Sequence, residues 1–302
     1  MGSQHGLMLV MLVCLIGLAA TVLLLGALNS NTVKIERDRK TVSALAEAKM
    51  ALIGRAAADG NHPGSLPCPD GNNDGSADLF TGNDCPVYIG RFPWKTLGTG
   101  ALVDGDGEAL WYALSSNYRD NASAEPINGT APGSMRVDDV GDQVAIVLSP
   151  GNPLSTQTHR PSNRISDYLE GENADGDADF SRQPAPIQND RLIAIGRIEL
   201  FATVSQRVLR EIQGNAMQGM KKYYADALAF PYADVDGDGN ADAGKLAGMP
   251  SHRAGPGSLF FDAATRSMLL DNDWFSRVHY AVSGDLKSAT LQLDGKALTM
   301  LP

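Results

Sequence analysis

Two stretches of the 302-residue chain set acidic side chains at alternate positions around glycine: "DGNNDGSAD", Asp70 to Asp78, and "DVDGDGNAD", Asp234 to Asp242. Carboxylates spaced so closely repel one another unless a cation sits among them. Read as a metal loop, Asp234, Asp236, Asp238, Asn240 and Asp242 take positions 1, 3, 5, 7 and 9, with Gly239 at 6. Asp70, Asn72, Asp74, Ser76 and Asp78 fill the same slots around Gly75. All ten are hard oxygen donors of the kind calcium takes, and glycine at position 6 permits the sharp turn that folds them inward. Position 12, where an EF-hand carries its bidentate Glu, is Lys245 in one loop and Thr81 in the other, so neither is an EF-hand. The competing reading is a solvated turn, because Asp, Asn and Gly are all turn formers. With one more carboxylate, the second loop is the stronger calcium candidate. "NADGDAD" (173–179) and "DGDGE" (104–108) read as plain turns.

Cys68 and Cys85 flank the first loop, and their proximity suits a disulfide; Cys14 lies in an apolar run. Nucleophile and metalloprotease motifs are missing from the sequence, and "GNADAGKL" (239–246) breaks the phosphate-loop pattern at Leu246. The five His are scattered. No catalytic constellation emerges, so the expectation is a protein that is not an enzyme. With 35 acidic residues against 25 basic ones, the net charge of −10 repels phosphates and argues against nucleic acid as a partner.

The elements that must carry these loops begin with the uncharged run from Leu7 to Leu28. As a helix it would be about 33 Å long, enough to cross a bilayer, and no small-x-small cleavage site follows it. A retained membrane anchor is therefore expected in place of a cleaved signal. Lys34, Arg37, Arg39 and Lys40 follow the run while the leader has no Lys or Arg, a bias that taken alone puts the body in the cytoplasm. The cysteine pair and weak calcium loops favour the opposite side, and the expected placement is single-pass in the inner membrane with the head in the periplasm or on an external filament.

Beyond the anchor, Val42, Leu45, Ala46, Leu52 and Ile53 recur near a 3.6-residue period, interrupted by Lys49, until "DGNHPGSLP" stops the helix. A second helix is expected from "NDRLIAIG" onward, capped by Asp190, with Ile195, Ile198, Phe201, Val204, Val208 and Ile212 as its stripe, ending at Pro231. Strands are expected at 109–115, 143–149, 277–283 and 289–295. Pro231 follows Pro67 by the same 164 residues that separate Asp234 from Asp70. The halves thus read as tandem units, a candidate duplication. The expected fold class is α+β: a long N-terminal transmembrane-to-amphipathic helix with a globular head of two helix-plus-antiparallel-sheet units. The expected divisions are a leader (1–6), a transmembrane segment (7–28), an amphipathic continuation (29–60) and head units at 61–188 and 189–302.

"HGLMLVMLVCLIGLAATVLLL", its continuation to Ala58 and "MKKYYADALAFPYADVDGDG" resemble type IV pilins and type II secretion pseudopilins. The resemblance implies a prepilin peptidase cutting after Gly6, methylation of the new terminus Leu7, and assembly with other pilin or pseudopilin subunits from the inner membrane. The chain departs from the family pattern in having Leu7 where Phe or Met is usual and Met11 where Glu is usual. An apolar residue in the Glu slot, the chain's size and calcium loops in the head resemble the tip-type minor subunit of type II pseudopili. The implied function is that of a structural minor subunit with Ca²⁺ stapling its head. The alternatives are a membrane-tethered calcium-dependent binding protein or adhesin outside any filament, and an anchored hydrolase.

Overall fold

Alternating runs rich in Val, Ile, Leu and Tyr make the strands, and two longer runs of helical period cover them. The structure, a computed structural model, describes residues 3–121, 125–182, 188–253 and 255–302; side chains are described at residue 16 and, within those segments, from residue 32 onward. Helix α1 is Ser3–Ala58, α2 is Arg197–Ala227 and α3 is Ala263–Asp271.

Strands β1 (Ile89–Arg91), β2 (Trp111–Leu114), β3 (Met135–Val137), β4 (Val140–Ser149) and β5 (Asp179–Phe180) lie in the order β1-β2-β4-β3-β5, and β6 (Arg191–Gly196) also pairs with β4. A second sheet runs β10-β9-β8-β7, from β7 (Ala247–Gly248), β8 (His279–Val282), β9 (Ala289–Leu293) and β10 (Lys296–Met300). The strands expected at 109–115, 143–149, 277–283 and 289–295 correspond to β2, β4, β8 and β9. The sheets are not purely antiparallel, because β3 and β5 pair in parallel.

The expected transmembrane-to-amphipathic helix with a globular head is corrected. Among the described residues no helix is long and apolar enough to cross a membrane. The expected single-pass inner-membrane placement, with its periplasmic head, falls on the same finding. Over 32–58 the helix carries Lys34, Glu36, Arg37, Asp38, Arg39 and Lys40, charges that a bilayer core would disfavour strongly. Its inward side chains, Ala44, Leu45, Ala48, Leu52, Ile53 and Ala56, are buried against the head. The head beyond the helix is rich in sheet, with ten short strands among the described residues. The expected span 7–28 lies outside the described side chains except for Ile16, and so do Gly6 and Leu7.

One core joins α1, α2 and the inner faces of both sheets through Leu52, Val204, Val208, Ile212, Tyr112, Val147, Tyr280 and Leu291. A smaller core lies on the other face of the first sheet, where Trp111, Ile146 and Leu148 meet Tyr168, Leu169 and Phe180. There the Arg91 guanidinium is held between the rings of Trp111 (4.2 Å) and Tyr168 (3.9 Å). In the second sheet the corresponding face is open, with His279 and Gln292 exposed.

The second helix starts later than its sequence suggests. "RLIAIG" is strand β6, hydrogen-bonded along β4, and α2 begins at Arg197. Ile195 is buried in that strand and Ile198 is 80% exposed, so neither belongs to the helix's buried stripe. Asp190 caps nothing; its carboxylate accepts the Glu170 N–H at 2.8 Å.

Candidate metal centre

Each aspartate loop leaves a helix-and-proline segment and enters its sheet edge through the same backbone pairing. Asp70 exchanges both backbone hydrogen bonds with Arg91 (3.0 and 2.7 Å), and Asp234 does so with Met249 (2.9 and 2.7 Å). Behind each loop a buried tyrosine donates its hydroxyl to the preceding proline carbonyl: Tyr112 to Pro67 at 3.2 Å and Tyr280 to Pro231 at 2.8 Å. Burial raises both phenols well above their ordinary range, so they remain neutral donors.

Inside the loops the hydrogen bonds match slot for slot. Asp234, fully buried, accepts the Gly237 N–H on Oδ1 and the Gly239 N–H on Oδ2, both at 2.8 Å. Asp70 accepts Asn73 N–H on Oδ1 and Gly75 N–H on Oδ2, both at 2.6 Å. Asp242 Oδ2 takes the Val235 N–H at 2.8 Å, as Asp78 Oδ2 takes that of Gly71 at 3.1 Å. Asp236 and Asn72 accept from the residue two further on, and so do Asp238 and Asp74. Gly75 and Gly239 both sit at φ +88°, left-handed backbone that a side chain would strain.

Carboxylate oxygens of Asp234, Asp236 and Asp242 lie within 4.8 Å of one another, so this group could hold a metal ion. Asp238 and Asn240, at the loop's outer turn, bond to each other at 2.8 Å. Asn240 holds the Asp238 carboxyl below its ordinary range, chiefly through its side chain. In the first loop Asn72 stands in the slot of Asp236, so that loop has one carboxylate fewer. Burial, and then the charges of Asp70 and Asp74, push the Asp78 carboxyl up against the opposing Gly71 N–H. Asp74 is held low by the Ser76 N–H. Lys95 donates its ammonium to the Asp74 carbonyl and its N–H to the Gly75 carbonyl, closing the outer side of this loop. Ser76 contributes its backbone N–H.

The donor set consists of carboxylates and an amide, without nitrogen or sulfur. That fits a hard cation and not a thiolate- or imidazole-seeking one. Cys68 and Cys85 are joined in a disulfide that brackets the first loop.

A third acidic group, Asp59, His62 and Asp120, also has its ligand atoms close together. Arg55 already occupies its charge, reaching Asp59 at 2.5 Å and Asp120 at 2.8 Å. Burial works to raise the Asp59 carboxyl, but the His62 N–H and Arg55 outweigh it and hold it below its ordinary range. This group reads as an ion-pair network closing α1.

Sequence patterning missed Asp104, in the "DGDGE" stretch read as a plain turn. Asp104 is fully buried and accepts from Asp106 and Glu108 N–H on Oδ1, and from the Ser149 hydroxyl and Gly151 N–H on Oδ2. The turn it builds grips α1: Gly105 N–H donates to Thr41 Oγ1 at 2.9 Å and Asp106 pairs with Arg37 at 3.2 Å. The available signal was an Asp followed by two glycines, which is too common to single out.

Comparison of the chain with protein-family models, with curated proteins and with solved structures finds no match.

Proposed function

We propose that the chain is a structural subunit of a pilin-like filament, of the type IV pilus or type II secretion class. Its helix α1 packs against other subunits, and its head is stapled by Ca²⁺. The observation that carries the reading is the set of exposed apolar side chains on α1. Ile35, Val42 and Met50 are 65%, 59% and 67% exposed, while Ala44, Leu45, Ala48 and Leu52 of the same helix are buried in the head. Apolar side chains on a helix that is already half-covered suit a second helix packed along them.

Asp234, Asp236 and Asp242 would hold the better-formed calcium, with Asp238 and Asn240 beside them. Asp70, Asn72, Asp74, Ser76 and Asp78 would form the weaker counterpart. A bound dication supplies positive charge where carboxylates otherwise repel, and so adds its binding free energy to the stability of each loop. The disulfide shortens the unfolded excursions of the first loop, which has the smaller carboxylate set.

Mass spectrometry of the amino terminus, on protein made in its own host, tests the subunit reading. A chain beginning at N-methylated Leu7, after prepilin peptidase cleavage at Gly6, is expected. A chain that keeps Met1 or Gly2 would remove the filament assignment and leave a calcium-dependent binding protein.

A further inference from the structure

A cleft of about 570 Å³ opens between the last turns of α2 and the segment 255–260. It lies outside both aspartate loops, and its chemistry is independent of the filament reading. Its walls are features of the second half that the first lacks. Measured against Pro67 and Pro231, α2 runs closer to its proline than α1 does, and the extra turn, which follows Lys222, carries Tyr223 and Asp226. The connection from β7 to β8 (249–278) is longer than that from β1 to β2 (92–110), and it supplies Pro256 and Phe260. The Ser258 carbonyl lies against Gly219, so closely that a Cβ there would stand 1.9 Å from it. Helix and segment thus approach closely at Gly219, a residue of the cleft lining.

The lining is of two kinds. Phe260 is 69% exposed, a large apolar ring left open to solvent. With Pro256 and Tyr223 it makes an apolar wall. Opposite in character are Gln218, Lys222 and Asp226, exposed along α2. Lys222 and Asp226 form no ion pair among the described residues, and their formal charges cancel across the rim. A phosphate or a free cation gains nothing net from such a rim. A neutral ligand with hydroxyl groups uses both its acceptors and its donors, because every hydroxyl both gives and takes a hydrogen bond. A flat C–H face on the same ligand matches an exposed aromatic ring, and the volume falls within the range of small-ligand sites.

We infer that this cleft binds a neutral carbohydrate, one sugar face stacked on Phe260 and its hydroxyls held by Gln218, Lys222 and Asp226.

The test uses the full chain in calcium-containing buffer, probed by saturation-transfer NMR with cellobiose, lactose and N,N′-diacetylchitobiose at about 10 mM, suited to millimolar affinities. At least one sugar is expected to show transfer strongest at its ring C–H protons. Phe260→Ala, at an exposed position, is expected to weaken it about tenfold, and Asp226→Asn severalfold, with the far-ultraviolet dichroism unchanged. Absence of transfer from all three sugars overturns the inference. So does transfer that survives Phe260→Ala undiminished. A neutral tripeptide such as Ala-Ala-Ala is run alongside; Phe260-dependent transfer from it in place of the sugars would reassign the cleft to peptide.

Discussion

Asp234 and Asp70 spend both carboxylate oxygens on their own loop backbone, so each is a folding residue before it is a metal ligand. Asp234→Asn keeps the shape but leaves one buried N–H facing an amide in place of a carboxylate. We expect a loss of about 1–3 kcal/mol without calcium and no further stabilisation on adding it. Thermal melts in calcium and in chelator give both readings. Asp190 makes a different prediction. Burial pushes its carboxyl up to about 8, with the Glu170 carboxylate adding to the effect against the Glu170 N–H. Between about pH 4 and about pH 8 the folded state therefore holds a proton that the unfolded state has released. That contribution is complete below the unfolded value and is lost as pH rises through about 8. Asp190→Asn, which stays neutral, should flatten the stability profile across this window and be the more stable of the two proteins at pH 8.5. Denaturant titrations at pH 5 and pH 8.5 separate the two proteins.

Beside the core that α1 and α2 share, short polar bridges tie the elements together. Lys49 reaches from α1 to the Ala194 carbonyl (3.0 Å) and to Glu199 (2.6 Å), so the residue that interrupts the apolar stripe in the sequence is a cross-link in the fold. The 104–108 turn is the second bridge. A Cβ on Gly105 would stand 2.2 Å from the Arg37 carbonyl, a distance that no rotamer relieves. Gly105→Ala should push the turn off α1, cost about 2 kcal/mol or more, and speed amide exchange around 37–45 while leaving the second sheet protected. Uniform exchange across both sheets would show that the grip is incidental. Asn128 and Asn272 join the two sheet units: Asn128 donates to the Asn272 carbonyl and Asn272 to that of Asn61.

For the whole molecule the main asymmetry lies in what covers each surface. The outer face of the first sheet is roofed by the 150–180 segment, the corresponding face of the second is solvated, and α1 keeps apolar groups in the open. Val42→Arg together with Met50→Glu changes only exposed positions. It should move the stability of the isolated chain by no more than about 0.5 kcal/mol and abolish incorporation into a filament. Cross-linking of assembled material, alongside a melt of the purified chain, tests both halves. Unimpaired incorporation would remove these α1 positions as the contact.

The sequence by itself determined what is local. Alternate acids around a glycine specify a loop whose carboxylates fold onto their own backbone, since most of these bonds span only two to five residues. The strands at β2, β4, β8 and β9 are legible because alternation and turn residues act over a few positions. The cysteine partners follow from there being only two outside the apolar run. Tertiary structure decided what depends on which surfaces meet. Val42 and Leu45 look equivalent by periodicity, yet only Leu45 faces the head. "RLIAIG" has enough apolar character for a helix, but hydrogen bonds along β4 make it a strand. Asp104 reads as a turn residue and Asp190 as a helix cap until distant donors claim their carboxylates, the Ser149 hydroxyl and Gly151 N–H for Asp104 and the Glu170 N–H for Asp190. Charges on 32–58 find partners on the head, and no local pattern carries that information, because it resides in residues far along the chain.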